Sequence, residues 1–262
     1  LYLHLSSVQN FSFWEENIPL IKKNVNNHFK FIGEVYWDQD YLSQYFDYLY
    51  DDRFYKGVIR PSPDFKNHLY ELLDSGHVNN SNCRQALYIE NHDEERAIKT
   101  LGEKRAKAAA FLAATIPKTM FIVNQGQENG WKIRPPMQIN RFPPESDNPQ
   151  IKAFYQKLFT LINSPLFKSG TLHLSHINQI SGDTIALELS SKDKESMAIF
   201  CINIGESDSQ CTIPSIDKNT PVEIESLSEE KEIVADNNRQ NGLYIALEPG
   251  EVQVIYKNKI LP

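Results

Sequence analysis

The sequence predicts an α/β unit on a parallel sheet followed by an all-β antiparallel sandwich. Two observations carry this. Through the first two-thirds of the 262 residues, short apolar runs alternate with helical patterns, the mark of βαβ units. From about Gly170 the runs are short and strand-like, with Gly, Asp, Asn and Pro turns between them. The change puts the boundary near Ser164-Pro165, giving an α/β part over 1–165 and a β part over 166–262.

The elements follow in order. Phe13 to Val25 carries Trp14, Ile18, Ile21 and Val25 at spacings of three and four, an amphipathic helix ended by Asn24, Asn26 and Asn27. Phe29–Tyr36 reads as a buried strand, Phe46–Tyr50 as a second short strand, and Phe65–Leu73 as a helix. Ala86–Glu90 is a third strand. Glu103–Thr115 is a helix whose alanines allow close packing on a sheet. Thr119–Asn124 is a fourth strand, followed by a loop with Pro135, Pro136, Pro143 and Pro144 and a helix over Ile151–Ile162. The sandwich strands are Thr171–Ser175, Thr184–Leu189, Met197–Ile202, Gln210–Ile213, Val222–Ser226, Leu243–Leu247 and Val252–Tyr256.

Composition excludes several classes. With 40% hydrophobic and 11% aromatic residues the chain is globular in composition. Lys plus Arg number 27 against 34 Asp plus Glu, so the net charge of −7 offers no footprint for nucleic acid or an anionic membrane. No stretch approaches the roughly 20 apolar residues of a membrane span. Cys83, Cys201 and Cys211 show no CxxC spacing, which argues against zinc. Cys201 and Cys211 read as small buried residues, with pairing across neighbouring strands as the alternative. The chain opens with Leu1 inside an apolar run, which leads us to expect that a longer protein precedes it; no compartment is assigned.

Three polar clusters stand where parallel strands end, the place where barrel enzymes put catalytic side chains. In Gly33-Glu34-Val35-Tyr36-Trp37 a carboxylate closes an apolar strand and two aromatics follow. An apolar pocket would raise the carboxyl pKa and suit a general acid, and sugar rings stack on aromatic faces. Tyr88-Ile89-Glu90-Asn91-His92-Asp93 runs from an apolar strand into groups able to hydrogen-bond sugar hydroxyls. In Asn124-Gln125-Gly126-Gln127-Glu128, Gly126 permits a tight turn and Gln127 and Glu128 would face the same rim. Each cluster also has an ordinary reading, as a surface Glu, a polar loop and a turn.

Taken in order, these segments resemble glycoside hydrolase family 13, the α-amylase family, with Phe46–Asp51 similar to its sixth-strand segment in some bacterial members. The resemblance implies the C-terminal half of a (β/α)₈ barrel, strands four to eight, followed by the family's β-domain. It implies retaining hydrolysis or transfer at α-1,4-glucosidic bonds by two carboxylates about 5 Å apart. It assigns Glu34 as acid/base, Asp93 and His92 as holding the sugar, and Asn91, Tyr36, Trp37 and Gln127 as substrate-binding residues. The family's nucleophilic Asp falls on His4 and its Arg partner on Tyr2, neither of which can do that chemistry. The chain alone is thus expected to be inactive and to need the missing N-terminal half of the barrel. The alternatives are a non-catalytic glucan-binding relative or a family transferase or isomerase. The implied partner is an α-glucan or maltooligosaccharide. No cofactor and no metal site are assigned; the family's calcium usually sits in the missing portion.

Other residues read as structural. His68, His77, His173 and His176 are scattered and look like surface or loop positions, and Glu94-Glu95 looks like the acidic first turn of a helix. Trp131 and Arg141 are candidates to line the cleft.

Overall fold

A computed structural model describes residues 11–74, 82–136, 138, 141–193, 197–217, 219–227, 231–233 and 241–257. Tyr2 and His4, the positions expected to fill the slots for the Arg and the nucleophile, lie outside the described residues, as does His77.

The first part runs α1 (Phe11–Asn24), β1 (Ile32–Gly33), α2 (Gln39–Leu42), β2 (Tyr48–Tyr50), α3 (Asp52–Ile59), α4 (Pro63–Asp74) and β3 (Arg84–Leu87). It continues with α5 (Ala97–Thr115), β4 (Met120–Phe121), α6 (Pro149–Ile162) and α7 (Pro165–Ser169). The four strands form one parallel sheet in chain order, β1-β2-β3-β4. Helix α6 starts earlier than the expected Ile151: the Asn148 side chain accepts from the amides of Gln150 and Ile151, and Pro149 fills the first helical position.

The structure corrects several expectations. The strand expected over 29–36 pairs only at Ile32–Gly33, and Ile32 is 45% exposed. Among the described residues β1 is hydrogen-bonded on its β2 side alone, so half of its backbone has no ladder to extend. Helix α3 has no counterpart among the elements expected; Asp51, at the end of an apolar run, caps it by accepting from the amide of Phe54 at 3.0 Å. His68 is not a surface residue. It is buried, with Nε2 2.6 Å from Asp51 Oδ2 and Nδ1 3.4 Å from Glu71 Oε2, and so ties α4 to the cap of α3. Helix α5 begins earlier than expected, at Ala97, and is kinked at Gly102, where φ is 74°. Glu94 and Glu95 precede it rather than forming its first turn; Glu94 accepts from the Tyr55 hydroxyl and Glu95 from Lys99.

The second part contains β5 (Thr171–Leu174), β6 (Asn178–Ser181), β7 (Ile185–Ser190), β8 (Met197–Ile202) and β9 (Ser209–Ile213). These are followed by β10 (Glu223–Ser226), β11 (Lys231–Ile233), β12 (Leu243–Leu247) and β13 (Val252–Lys257). They make two antiparallel sheets, β11-β10-β13-β8-β7-β5 and β12-β9-β6.

The central strands of the larger sheet are apolar on both faces, and the two-residue period of a strand sorts them. Ala198, Phe200 and Ile202 of β8, with Leu187 of β7 and Val254 of β13, join the core that holds Phe111 of α5 and Leu158 of α6. Ile199 and Cys201 of β8, Ala186 of β7 and Ile255 of β13 join Cys211, Ile213 and Ile245 of the smaller sheet. The six-stranded sheet is thus a middle layer, and the first core passes across residue 165 without a break. Cys201 and Cys211 are both free and buried within the second core, on strands of different sheets.

Polar ties reinforce the joint. Arg105 of α5 donates to the Ile204 carbonyl at 2.9 Å and pairs with Glu206; Lys104 pairs with Glu248 and Lys66 with Asp183. Gly250, with φ 77°, lies so close to α5 that a Cβ there would overlap the backbone of Lys104 and Arg105. No helix among the described residues is long and apolar enough to cross a membrane.

Candidate active site

The C-terminal ends of β1 and β3 bring three sequence-predicted residues together. At β1, Gly33 allows close approach to β2, since a Cβ there would stand 2.7 Å from Leu49 Cδ2. Glu34 follows directly. Beyond β3 the chain turns at Asn91, whose Oδ1 accepts from the amides of Asp93 (2.9 Å) and Glu94 (3.0 Å). This turn leaves His92 and Asp93 in solvent, their side chains 48% and 42% exposed. His92 Nε2 then lies 3.6 Å from Glu34 Oε2 and 3.5 Å from Asp93 Oδ2.

Glu34 is not in the apolar pocket expected of it. One carboxylate oxygen accepts from the Tyr36 hydroxyl at 3.3 Å and the other faces His92. The apolar character lies instead in the rings beside it. Tyr36 packs edge-on against Tyr50, Tyr50 meets Tyr88, and Tyr88 stacks on Tyr55. The Tyr36 hydroxyl donates to Glu34, with the Tyr88 hydroxyl close beside it. Burial, then the negative charge of Glu34, holds the Tyr36 hydroxyl up at about 12, although the bond with Tyr88 works the other way. Burial also raises Tyr50 and Tyr88. Trp37, beside Tyr36 in sequence, is 55% exposed.

Two predicted substrate-binding residues are buried at turns where solvent-facing side chains were expected. Asn91 is buried, its side-chain oxygen committed to the turn and its Nδ2 without a hydrogen-bond partner. Gln127 is buried too: Oε1 accepts from the Asn124 amide, and Nε2 donates to the Tyr155 hydroxyl at 2.7 Å, fastening the turn after β4 to α6. Both are amides at strand ends whose backbone turns needed partners, and the turns took them. Of the two cleft candidates, Trp131 packs under Gly126, against Phe142, and donates to Asp147, while Arg141 is exposed.

The support beneath His92 and Asp93 is not among the sequence expectations. Glu90 and Arg96 are each 1% exposed and joined at 2.6 Å. Glu90 also accepts from the first amide of α5, Ala97, at 2.7 Å and from Asn124 at 3.2 Å. Arg96 donates to the carbonyls of Ile133 (3.0 Å) and Gln125 (2.8 Å). The pair therefore locks the loop after β3 to the loop after β4. Burial is the largest influence on Glu90 and raises its pKa despite Arg96 and the Ala97 amide. The only signal in the sequence is the run of apolar residues into Glu90 and an Arg beside a helix start.

No protein-family model matches the chain, and no curated protein matches it. Solved structures do. A noncanonic maltogenic α-amylase from Thermotoga neapolitana is 16% identical with a TM-score of 0.71, covering 97% of this chain and 60% of that one. The α-amylase of Geobacillus thermoleovorans, complexed with acarbose, is 17% identical with a TM-score of 0.65, covering 95% and 57%. The α-amylase of H. orenii is 19% identical with a TM-score of 0.66, also covering 95% and 57%. The fold is that of the α-amylases. The chain spans no more than about three-fifths of these α-amylases, and they align with it across both its α/β and its β part.

Proposed function

We propose that the chain is the C-terminal portion of a family 13 glycoside hydrolase acting on α-1,4-glucans. Residues 1–165 are the later part of its (β/α)₈ barrel and 166–262 its β-domain. Glu34 is the general acid/base, and Asp93 and His92 hold the sugar. Tyr36 and Trp37 offer ring faces to it, while Asn91 and Gln127 act indirectly by fixing turns.

The observation that carries this reading is the convergence of Glu34, His92 and Asp93 from two non-adjacent strands at one end of the parallel sheet. A strand order that never reverses, as in a barrel, and the α-amylase fold support it. With His4 and Tyr2 in the slots for Asp and Arg, the chain alone cannot form a glycosyl ester. The reading therefore requires a longer parent protein whose own fourth strand, in place of Leu1–Leu5, carries the Asp and Arg.

A second reading rests on the same two residues: a non-catalytic glucan-binding relative. Calorimetric titration with maltoheptaose, beside a reducing-end assay on starch, separates the two. The fragment reading expects neither saturable binding nor reducing ends from this chain, and both from a longer protein carrying the upstream Asp and Arg. Saturable binding by this chain without reducing ends favours the relative. Reducing ends released by this chain and unaffected by Glu34→Gln would remove Glu34 from the mechanism. Products longer than the substrate would mark a family transferase.

A further inference from the structure

We infer that Glu34, His92 and Asp93 also form a binding site for a first-row divalent cation, with Zn²⁺ the best-fitting ion. The inference rests on donor geometry and holds whether or not the glucan reading does. Two strand ends that are distant in sequence bring one imidazole and two carboxylates to a point, each offering an atom within 4.8 Å of the others. No sequence motif announces this, because residues 34 and 92 share no local spacing.

The separations fit a tetrahedral ion. Zinc bonds of about 2.0–2.2 Å put neighbouring ligand atoms about 3.3–3.6 Å apart. His92 Nε2 stands 3.6 Å from Glu34 Oε2 and 3.5 Å from Asp93 Oδ2. These gaps are too long for good hydrogen bonds, so within the trio His92 makes only loose ion-pair contacts. The remaining edge, at most 4.8 Å, closes with a small rotation of an exposed carboxylate. Mixed nitrogen and oxygen donors suit zinc, whereas calcium takes six to eight oxygens and would find too few here.

The surroundings match a metal site with an open position. Two carboxylates beside an imidazole attract a divalent ion. The Tyr36 hydroxyl holds Glu34 Oε1, an outer bond of the kind that orients a metal-binding carboxylate, and leaves Oε2 for the ion. The fourth position faces solvent, where water or a sugar hydroxyl would bind. Zinc and glucan would then compete for the same three side chains; that last consequence alone depends on the proposed function.

The test is calorimetric titration of the whole chain with ZnCl₂ in a buffer that does not chelate. One saturable ion per chain is expected, with no comparable binding of CaCl₂. His92→Ala and Glu34→Gln should each weaken zinc binding about tenfold or more. Both side chains are partly exposed, and circular dichroism checks that the variants fold. His173→Ala is the control, since His173 meets Glu188 at 3.6 Å on the β-domain surface and should leave binding unchanged. No saturable binding, binding unaffected by His92→Ala and Glu34→Gln, or binding lost only in His173→Ala would overturn the inference. Maltoheptaose titration is scored separately, so failure here leaves the glucan reading untouched.

Discussion

Arg96→Met should destabilise the fold by about 3–5 kcal/mol, the range for breaking a buried ion pair from one side. The structure fixes how that loss arises. Methionine refills most of the volume, so little of the cost is cavity. What is lost is the bond to Glu90 at 2.6 Å and the donors to the carbonyls of Ile133 and Gln125. Glu90 is left 1% exposed, with only the Ala97 amide and the Asn124 amide as partners. One contribution works in the other direction: Arg96 Nη2 is buried without a hydrogen-bond partner in the native protein, and that penalty disappears with it.

Urea unfolding at neutral pH measures the change, and the double variant Glu90→Gln/Arg96→Met tests its origin. With no charge left to strand, the double should recover most of the loss. The pH dependence has a definite sign. Burial raises the Glu90 pKa above its ordinary 4.5, so the folded state prefers the proton. Its destabilising contribution is absent below the unfolded pKa and complete above the folded one. Removing Arg96 lifts the folded pKa further, so the gap between variant and native protein should shrink as pH falls towards 4.5. A loss below about 1 kcal/mol, or a double variant as unstable as the single, would refute this account of the loop lock.

Two further perturbations probe other parts of the fold. Gly250→Ala forces a side chain onto the backbone of α5 at a positive φ, and should cost about 2–4 kcal/mol in urea unfolding from overpacking and strain together; a cost under about 1 kcal/mol would mean that α5 and the turn after β12 are not held in this contact. Asp47 is partly buried, which raises its pKa, but bonds from Lys22, the Phe31 amide and Lys30 outweigh that and lower it. Its stabilisation is present above the ordinary 3.8 and lost as pH falls through the lower folded value, so Asp47→Asn should flatten the acid limb of the stability profile, and an unchanged limb would assign that limb to other carboxylates.

How much of the fold was legible in the sequence depended on whether a signal was local. Helix α6 was legible because Ile151, Phe154, Tyr155 and Leu158 keep the helical period; its start at Pro149 behind the Asn148 cap was not. Helix α3 was not, being eight residues long with its cap hidden at the end of an apolar run. The start of α5 was hidden because its cap is non-local: Glu90 reaches seven residues ahead to the Ala97 amide, which no capping pattern encodes. In the site, the positions of Glu34, His92 and Asp93 at strand ends were legible, since strand ends are set by where apolar runs stop. The direction of a polar side chain was not. Asn91 and Gln127 have the same kind of sequence context as His92, yet their amides close turns that would otherwise leave backbone groups unpaired.

The two halves of the proposed site are not equally supported. Asp93 and His92 stand on a loop fastened by Glu90, Arg96 and Asn91, above strand β3, which has neighbours on both sides. Glu34 stands on β1, whose described ladder has one side, with Ile32, Phe29, Val25 and Leu20 exposed nearby in sequence. A carboxylate that must meet a glycosidic oxygen needs its position held to a fraction of an ångström. Under the proposed function, the neighbour that β1 lacks among the described residues is the barrel's fourth strand, the same strand that must carry the nucleophile. That one strand therefore has two tasks: it supplies the Asp, and it completes the ladder of β1 so that Glu34 is held as firmly as Asp93. Placing Asp and Arg at the slots of His4 and Tyr2 would on this reasoning restore catalysis only where that strand also pairs with β1.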